Sequence, residues 1–288
     1  LNPCNLFAGI NAEEPVLIAV SGGSDSIALL HLAHSWARPR SVDLRVITVD
    51  HGLRPEAAAE AAFVSGVSEG LGLPHVTLAW EGMKPSSGLA EASRNARYLL
   101  MEEFAHDIGS RTILTGHTLN DQAETVLMRN ARGNPASRQR GLSGMARHTK
   151  LPLGTEIIRP LLGVTRAALR KYLRHFGQSW IEDPSNFDVS YERVRVRQKL
   201  ESLEISMQSI GRFASLIGRE RSYLTTRVSE FLGDQLQVKP GPVFGISRNA
   251  LQSAPHELLL PAVQTVIALA GGGSYFVSTE AIVEALDL

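Results

Sequence analysis

An apolar run, Val16-Leu17-Ile18-Ala19-Val20, is followed by Ser21-Gly22-Gly23-Ser24-Asp25-Ser26 and then by apolar positions at helical spacing as far as His34. That order predicts a buried strand, a tight turn and a helix over Ser24–His34. The same alternation recurs down the chain. Leu44–Val49 reads as a second strand ending at Asp50-His51-Gly52, and the Ala-rich stretch Glu56–Glu69 reads as a helix with Pro55 at its first turn. His75–Leu78 reads as a third strand, Leu89–Ile108 as a helix, Thr112–Thr115 as a fourth strand, and Asn120–Arg129 as a helix. Strands and helices alternating at this spacing predict an α/β fold, a parallel sheet covered on both faces. Such sheets bind ligands at the carboxyl ends of their strands. Ser21–Ser26, Asp50-His51 and Gly116-His117 all lie at such ends. Three separate segments are therefore expected to converge on one crevice.

The second half is less periodic. Residues 130–150 are rich in Gly, Ser, Arg and Pro and read as a loop. Ile157–Leu162 reads as extended, Thr165 as the cap of a helix running to Phe176, and Trp180–Asn186 as a turn. A further helix is expected from about Tyr191, and helical periodicity covers 205–235 until Gly241-Pro242. This places a nucleotide-type α/β domain over residues 1–203 and a smaller, mostly helical domain over 204–288.

Composition narrows the function. No apolar run approaches the roughly 20 residues of a membrane span, and the first residues lack the basic-then-apolar order of a secretory signal. The single cysteine, Cys4, excludes an intramolecular disulfide framework or a Cys-rich zinc or iron–sulfur site within this chain. A cytoplasmic location is expected. Formal net charge is zero, which conceals a basic middle. No acidic residue lies between Glu124 and Glu156, a stretch that holds Arg129, Arg132, Arg138, Arg140, Arg147 and Lys150. A second run, Arg193, Arg195, Arg197 and Lys199, follows. Either run can track a nucleic-acid backbone or simply form a solvated face.

The Ser21–Ser26 turn carries the chemistry. Adjacent glycines let successive backbone N–H groups converge on one anion, the helix N-terminus adds about half a positive charge, and Ser21, Ser24 and Ser26 can donate as well. No G-x-x-x-x-G-K-[ST] string is present, so this is not the loop of the common NTPases. The SGG-x-DS string resembles the PP-loop of ATP pyrophosphatases, which cleave ATP between its α and β phosphates. Behind it come Val49-Asp50-His51-Gly52-Leu53-Arg54, then Arg94, Arg97 and Tyr98 as R-x-x-R-Y. Gly116-His117, Asn120-Asp121, Glu124-Thr125 and Met128-Arg129 follow the fourth strand. Gly141–Met145, Arg159-Pro160-Leu161-Leu162 and Glu182-Asp183-Pro184-Ser185-Asn186 complete the order. As an ordered set over about residues 15–200, these strings resemble the tRNA(Ile)-lysidine synthases. Two departures are Val194 after Arg193, where the family shows Asn, and Asn134-Pro135-Ala136-Ser137 before Arg138.

The resemblance implies a PP-loop enzyme that uses ATP, Mg²⁺ and free L-lysine to convert the wobble cytidine, position 34, of a CAU-anticodon tRNA(Ile) into lysidine. The cytidine O2 is adenylated, a lysine amine attacks C2, and AMP and pyrophosphate are released. It assigns ATP to Ser21, Gly22, Gly23, Ser24, Asp25 and Ser26, framed by Asp50 and His51. Asp25 is the candidate for Mg²⁺ or phosphate orientation, a role compatible with capping the first helix. Asp121 and Glu124, three apart on one helix face, are candidates for the lysine ammonium ions and for a general base, with His117 beside them. The alternative is that both acids merely complement the helix dipole. Arg97 is a catalytic candidate for an ATP phosphate or the lysine carboxylate, against an ion pair with Glu91 or Glu102. Arg129, Arg132, Arg138, Arg140, Arg193, Arg195 and Arg197 are candidates for the tRNA surface. The C-terminal domain is expected to assist tRNA selection, and a homodimer is compatible with the family. The competing classes are another PP-loop enzyme that adenylates tRNA and a non-catalytic adenine-nucleotide-binding protein.

Overall fold

The computed structural model describes residues 1–131, 143–183, 188–189, 192–202, 206–241, 243–271, 282 and 284. The chain forms two compact units, Leu1–Met128 with Met145–Gly211, and Arg129–Gly144 with Arg212–Leu288. The division falls at Gly211, inside the first turns of the helix Met207–Gln235. Residues 129–144, read as part of the first domain, group with the second unit.

In the first unit the elements run α1 (Pro3–Leu6), β1 (Val16–Ala19), α2 (Ser24–Ala37), β2 (Leu44–Asp50), α3 (Ala57–Gly70), β3 (His75–Ala79), α4 (Leu89–Asp107), β4 (Thr112–Thr115), α5 (Leu119–Ala131), β5 (His148–Lys150), β6 (Glu156–Ile158), α6 (Arg166–His175) and α7 (Glu192–Ser202). The sheet order is β3-β2-β1-β4-β6-β5. All pairings are parallel except that of β5 with β6. The strand β5 was not expected. His148-Thr149-Lys150 is short, polar and at the edge, so it carries none of the apolar alternation that marks an inner strand.

Period-two alternation places two cores on opposite faces of the sheet. Val16, Ile18, Val46, Leu114 and Ile158 pack with Ile27, Leu30, Val64, Leu169 and Leu173 of α2, α3 and α6. Leu17, Ile47, Ile113 and Ile157 pack with Met101 and Ala105 of α4. Because both faces are buried there, the inner strands β1 and β4 read as near-continuous apolar runs. Thr165 caps α6, its hydroxyl accepting the Ala168 N–H at 3.3 Å. The cap of α2 is Gly23, with extended φ −71° and ψ 161° and no side-chain bond, so Asp25 lies in the first turn and does not cap the helix.

In the second unit, α8 (Met207–Gln235) leads into a hairpin of β7 (Gln237–Lys239) and β8 (Val243–Gly245), then α9 (Arg248–Ser253) and α10 (His256–Gly271). Val228 and Leu232 of α8 pack with Leu258 and Ala262 of α10 as its core. Among the described residues, no helix is long and apolar enough to cross a membrane.

Candidate active site

The loop after β1 is held open by its own side chains. Ser26 Oγ donates to the Gly23 carbonyl at 3.0 Å and accepts the Ser21 N–H at 3.2 Å. Gly22 adopts φ +86°, and its missing Cβ would lie 2.7 Å from Ile181 Cδ1. The Ile181 N–H in turn donates to the Gly22 carbonyl at 2.9 Å. The first-turn N–H groups of Ser24 and Asp25 have no acceptor inside the helix. Together with the loop they form an anion-binding concavity at the start of α2. Gly116, at the end of β4, makes the closest approach to it, since a Cβ there would sit 3.0 Å from Ser26 Cα and N and 3.1 Å from the Asp25 carbonyl carbon. We expect Gly22→Ala to weaken ATP binding several-fold, because a left-handed φ costs an L-residue about 1–2 kcal/mol and the methyl displaces Ile181. Calorimetric titration with ATP checks this, and an unchanged affinity would refute it.

A crevice of about 750 Å³ opens beside the loop, lined from β1, β2, β4, α2, α4, α6, α7 and Ile181–Asp183. Ser21, Gly23, Ser24, Asp25, Ser26, His51, Arg97, His117, Asp121, Arg193 and Arg197 all line it. Asp50 does not; its Oδ1 accepts the Gly52 N–H at 2.7 Å and fixes the turn after β2. Arg54 is tied to Asp183 at 3.0 Å and Glu60 at 3.2 Å on the wall.

Asp121 and Glu124 share one face of α5, as spacing three predicts, and both are buried. Thr118 donates to Asp121 Oδ2 through its N–H and its hydroxyl, both at 2.7 Å, in the manner of a capping box. The other carboxylate oxygens meet arginines. Arg166 reaches three acids: Asp25 Oδ2 at 2.9 Å, Asp121 Oδ1 at 3.2 Å and Glu124 Oε1 at 3.8 Å. Arg193 reaches Asp121 Oδ1 at 2.8 Å and Glu124 Oε2 at 2.5 Å, and Arg197 reaches Glu124 Oε1 at 2.9 Å. Three carboxylates thus face three guanidiniums. Burial raises the Asp121 carboxyl, but Arg193, Arg166 and the Thr118 bonds outweigh it and hold its pKa below the ordinary carboxylate value. At Asp25 burial outweighs Arg166, so its pKa is raised.

These contacts add partners to two groups of expected site residues. Arg193 and Arg197 turn into the crevice onto carboxylates instead of lying on a phosphate-tracking face, and Arg195 donates to the Val189 carbonyl at 2.7 Å. The acid pair, read as a partner for the lysine ammonium ions, also anchors arginines. Arg129 donates to the Gly144 carbonyl at 2.7 Å. Arg132, Arg138, Arg140, Gly141, Leu142 and Pro184–Asn186 lie outside the described residues. Arg97 has no ion-pair partner among the described residues; Glu102 instead accepts the Leu153 N–H at 2.7 Å. Arg166 was missed as a site residue. Its signal was the Thr165 cap, which aims the first residue of α6 at the mouth of the crevice, and Asn120 Oδ1 accepts its N–H at 2.9 Å.

His117 lines the same crevice as Asp121 and Arg97. Its Nδ1 lies 3.0 Å from Thr115 Oγ1. Burial lowers its pKa to about 4; Asp121 opposes the shift and Arg159, Arg97 and Arg193 add to it. The ring is therefore neutral at working pH. Between pH 6.5 and about 4 the unfolded chain binds the proton more readily, so folded-state stability falls as pH drops through that window. We expect the His117 ring to titrate near pH 4 by NMR, and His117→Gln to flatten the acid limb of the stability curve. An ordinary imidazole titration would contradict this.

Comparisons with known proteins show the family and the fold. The PP-loop domain model matches residues 4–204. The chain is 39% identical over 288 residues to the tRNA(Ile)-lysidine synthase of Ruegeria pomeroyi, covering 98% of this chain and 68% of that protein. It is 41% identical over 277 residues to the tRNA(Ile)-lysidine synthase of Mesorhizobium japonicum, covering 94% of this chain and 60% of that protein, so it spans only part of these relatives' lengths. The solved U34-tRNA thiolase NcsA of Methanococcus maripaludis superposes with a TM-score of 0.61 over 78% of each chain at 15% identity, a likeness of fold. A strand–nest–helix unit opening on a crevice of paired carboxylates and arginines, matched over nearly its whole length by these relatives, places the chain in the tRNA(Ile)-lysidine synthase family of PP-loop ligases.

Proposed function

We propose that this chain ligates free L-lysine to C2 of the wobble cytidine of CAU-anticodon tRNA(Ile), by way of an adenylated cytidine. The observation that carries the reading is the opposition of an anion nest and a carboxylate–arginine cluster across one crevice. Transfer of AMP to the cytidine O2 turns a poor leaving group into a good one, and the departing pyrophosphate is received by the Ser21–Ser26 nest. Arg166 and Arg193 stand where they can meet phosphate oxygens as negative charge accumulates. Arg193 is the most exposed of the three arginines on the acids. As it turns to the pyrophosphate, a lysine ammonium takes its place on Asp121. The amine then loses a proton, attacks C2 and expels AMP.

Mg²⁺ fits as a companion of the nucleotide. Asp25 Oδ1 accepts the Ser24 hydroxyl at 3.3 Å as its one hydrogen bond among the described residues, and no cluster of three or more His, Cys, Asp or Glu residues that could hold a metal occurs among them. Magnesium needs few protein ligands when phosphates and water supply the rest. Bound there, it would neutralise the polyphosphate. The second unit, with the basic stretch 129–150, assists tRNA binding, and the enzyme works in the cytoplasm. A thiolase reading, raised by the fold neighbour, lacks support because the chain's one cysteine is exposed on α1 and bonded by Arg40 at 3.4 Å.

The test is transfer of radiolabelled lysine to tRNA(Ile) carrying CAU, alongside the same tRNA with U at the wobble position. Label should enter only the cytidine form, with ATP-derived AMP and pyrophosphate. ATP cleavage without incorporation would overturn the reading in favour of another nucleophile or acceptor, and no cleavage with either tRNA would favour a nucleotide-binding protein.

A further inference from the structure

The helix α6 contains no acidic residue, in a chain whose formal net charge is zero. Its apolar side is spent: Leu169 and Leu173 are fully buried in the core under the sheet. Its other side is cationic. Arg174 lies four residues after Arg170 and three after Lys171, so the three share one stripe, and Lys171 and Arg174 are exposed. Arg166, Ala167 and Arg170 line the crevice. The stripe therefore starts at the crevice and continues to Arg174, about 12 Å along the helix axis from Arg166. Arg170 and Arg174 lie over the Trp180 ring at 5.8 and 5.9 Å, and that ring packs against the core. Glu182 accepts the Trp180 Nε1–H at 2.8 Å and pairs with Arg170 at 3.0 Å. Lys171 and Arg174 have no carboxylate within ion-pair distance among the described residues. At the end of the same helix Phe176 is 59% exposed, its ring held by Tyr172 at 4.9 Å and His175 at 5.1 Å.

We propose that this face of α6 receives the RNA strand flanking the reacting nucleotide, with Lys171 and Arg174 on backbone phosphates and Phe176 stacked on an unpaired base. The proposal rests on the tRNA-ligase reading above and names the surface by which that site holds its RNA. A row of cations beside an exposed aromatic ring is the combination that tracks a single strand, because phosphates repeat along the backbone and every base has a π-face. The stripe is also continuous with residues that line the crevice, so a strand that delivers a base there passes over it. Stacking on Trp180 keeps the planar face of Arg174 on the ring and leaves its N–H edge for a further acceptor, with less side-chain freedom to lose on binding. ATP does not account for this face, since its phosphates have the nest at the start of α2. A lipid surface does not fit either. A helix bound to a membrane inserts its apolar face, and here that face is enclosed by protein.

The experiment measures binding of a CAU-anticodon tRNA(Ile) transcript by fluorescence anisotropy over a salt series, with ATP affinity followed by calorimetry. Lys171→Gln and Arg174→Gln should each weaken RNA binding about fourfold at about 0.15 M salt and flatten the plot of log K against log salt by about 0.7, one phosphate's share on a single strand. Phe176→Leu keeps an apolar side chain beside Tyr172; it should weaken binding about tenfold and leave the slope unmoved, because stacking releases no counter-ions. ATP affinity should hold at the wild-type value in all three. The control is Arg111→Gln, an exposed position just before β4 at the amino end of the sheet, away from the crevice, which should change neither affinity nor slope. Wild-type affinity and slope in Lys171→Gln and Arg174→Gln would overturn the proposal. An equal loss in Arg111→Gln would reduce the effect to overall charge and overturn it too. Vesicles of phosphatidylserine and phosphatidylcholine that bind wild type but not these variants, while RNA binding is untouched, would assign the face to a membrane and also overturn it. If wild type binds no tRNA, the ligase reading fails and takes the surface with it. If the expected pattern appears without lysine transfer, the ligase reading fails and the RNA surface stands; if lysine is transferred while the variants bind as wild type does, only the surface fails.

Discussion

Glu124→Gln abolishes lysine transfer, by more than about 100-fold in kcat/KM, the range expected when a preorganised charge is removed from a water-poor site. The side chain is 1% exposed and holds Arg193 at 2.5 Å, Arg197 at 2.9 Å and Arg166 at 3.8 Å. Glutamine keeps the shape and removes the charge. Its amide can still accept from one guanidinium, but its NH₂ end faces another, and three cations are left with Asp25 and Asp121. Breaking a buried ion pair costs about 3–5 kcal/mol. Arg193 and Arg197 are partly exposed, so water screens their share and about 2–3 kcal/mol is the expected loss of stability. Denaturant melts read the second quantity and lysine transfer the first. A variant with wild-type stability and turnover would show that the acid does not organise the arginines.

Gly116→Val lowers kcat/KM for ATP cleavage by about 100-fold and costs about 1–3 kcal/mol of stability. The reason is placement. The side chain would press on the backbone of Ser26 and Asp25, where a Cβ already lies at 3.0 Å. Unlike a flexible side-chain tip, that backbone can yield only by shifting the first turn of α2. A shift approaching 1 Å in a group that holds reacting phosphates costs on the order of 10²-fold. Gly116 does not adopt a positive φ, so no backbone strain confounds the result. Serine at this position should fall between glycine and valine. Pyrophosphate release at limiting ATP measures the effect, and a valine variant that cleaves ATP normally would refute the argument.

The periodic half of the molecule was legible in the sequence because both faces of the sheet are buried. Val16–Ala19 and Thr112–Thr115 have no polar positions pointing to water to blur them, and the glycines that end them announce the turns. Strand ends then name the crevice without any knowledge of the fold's details. The strand β5 was not legible, since three polar residues at an edge look like loop. The charge partners were illegible for a different reason. Spacing reports neighbours on one helix, as it did for Asp121 and Glu124, but not what another helix brings to them. Arg193 and Arg197 looked like a solvated or RNA-facing run because their countercharges lie on a distant stretch of chain. Arg159 carried no signal of burial at all: an arginine before Pro160 reads as surface, and only tertiary packing encloses it.

The separation in sequence between those partners has a consequence for synthesis. Arg166 lies 141 residues from Asp25, and Arg193 lies 72 residues from Asp121. Contacts of such range come late in folding, after the chain has met the cost of closing long loops. While the ribosome has yet to release Arg193, a nascent chain that folds its sheet encloses Asp121 and Glu124 with a single arginine in reach. Two carboxylates against one cation resist burial, so the crevice stays wet and loosely held until α7 emerges. Catalytic competence of the first unit is thereby timed to the end of its own translation.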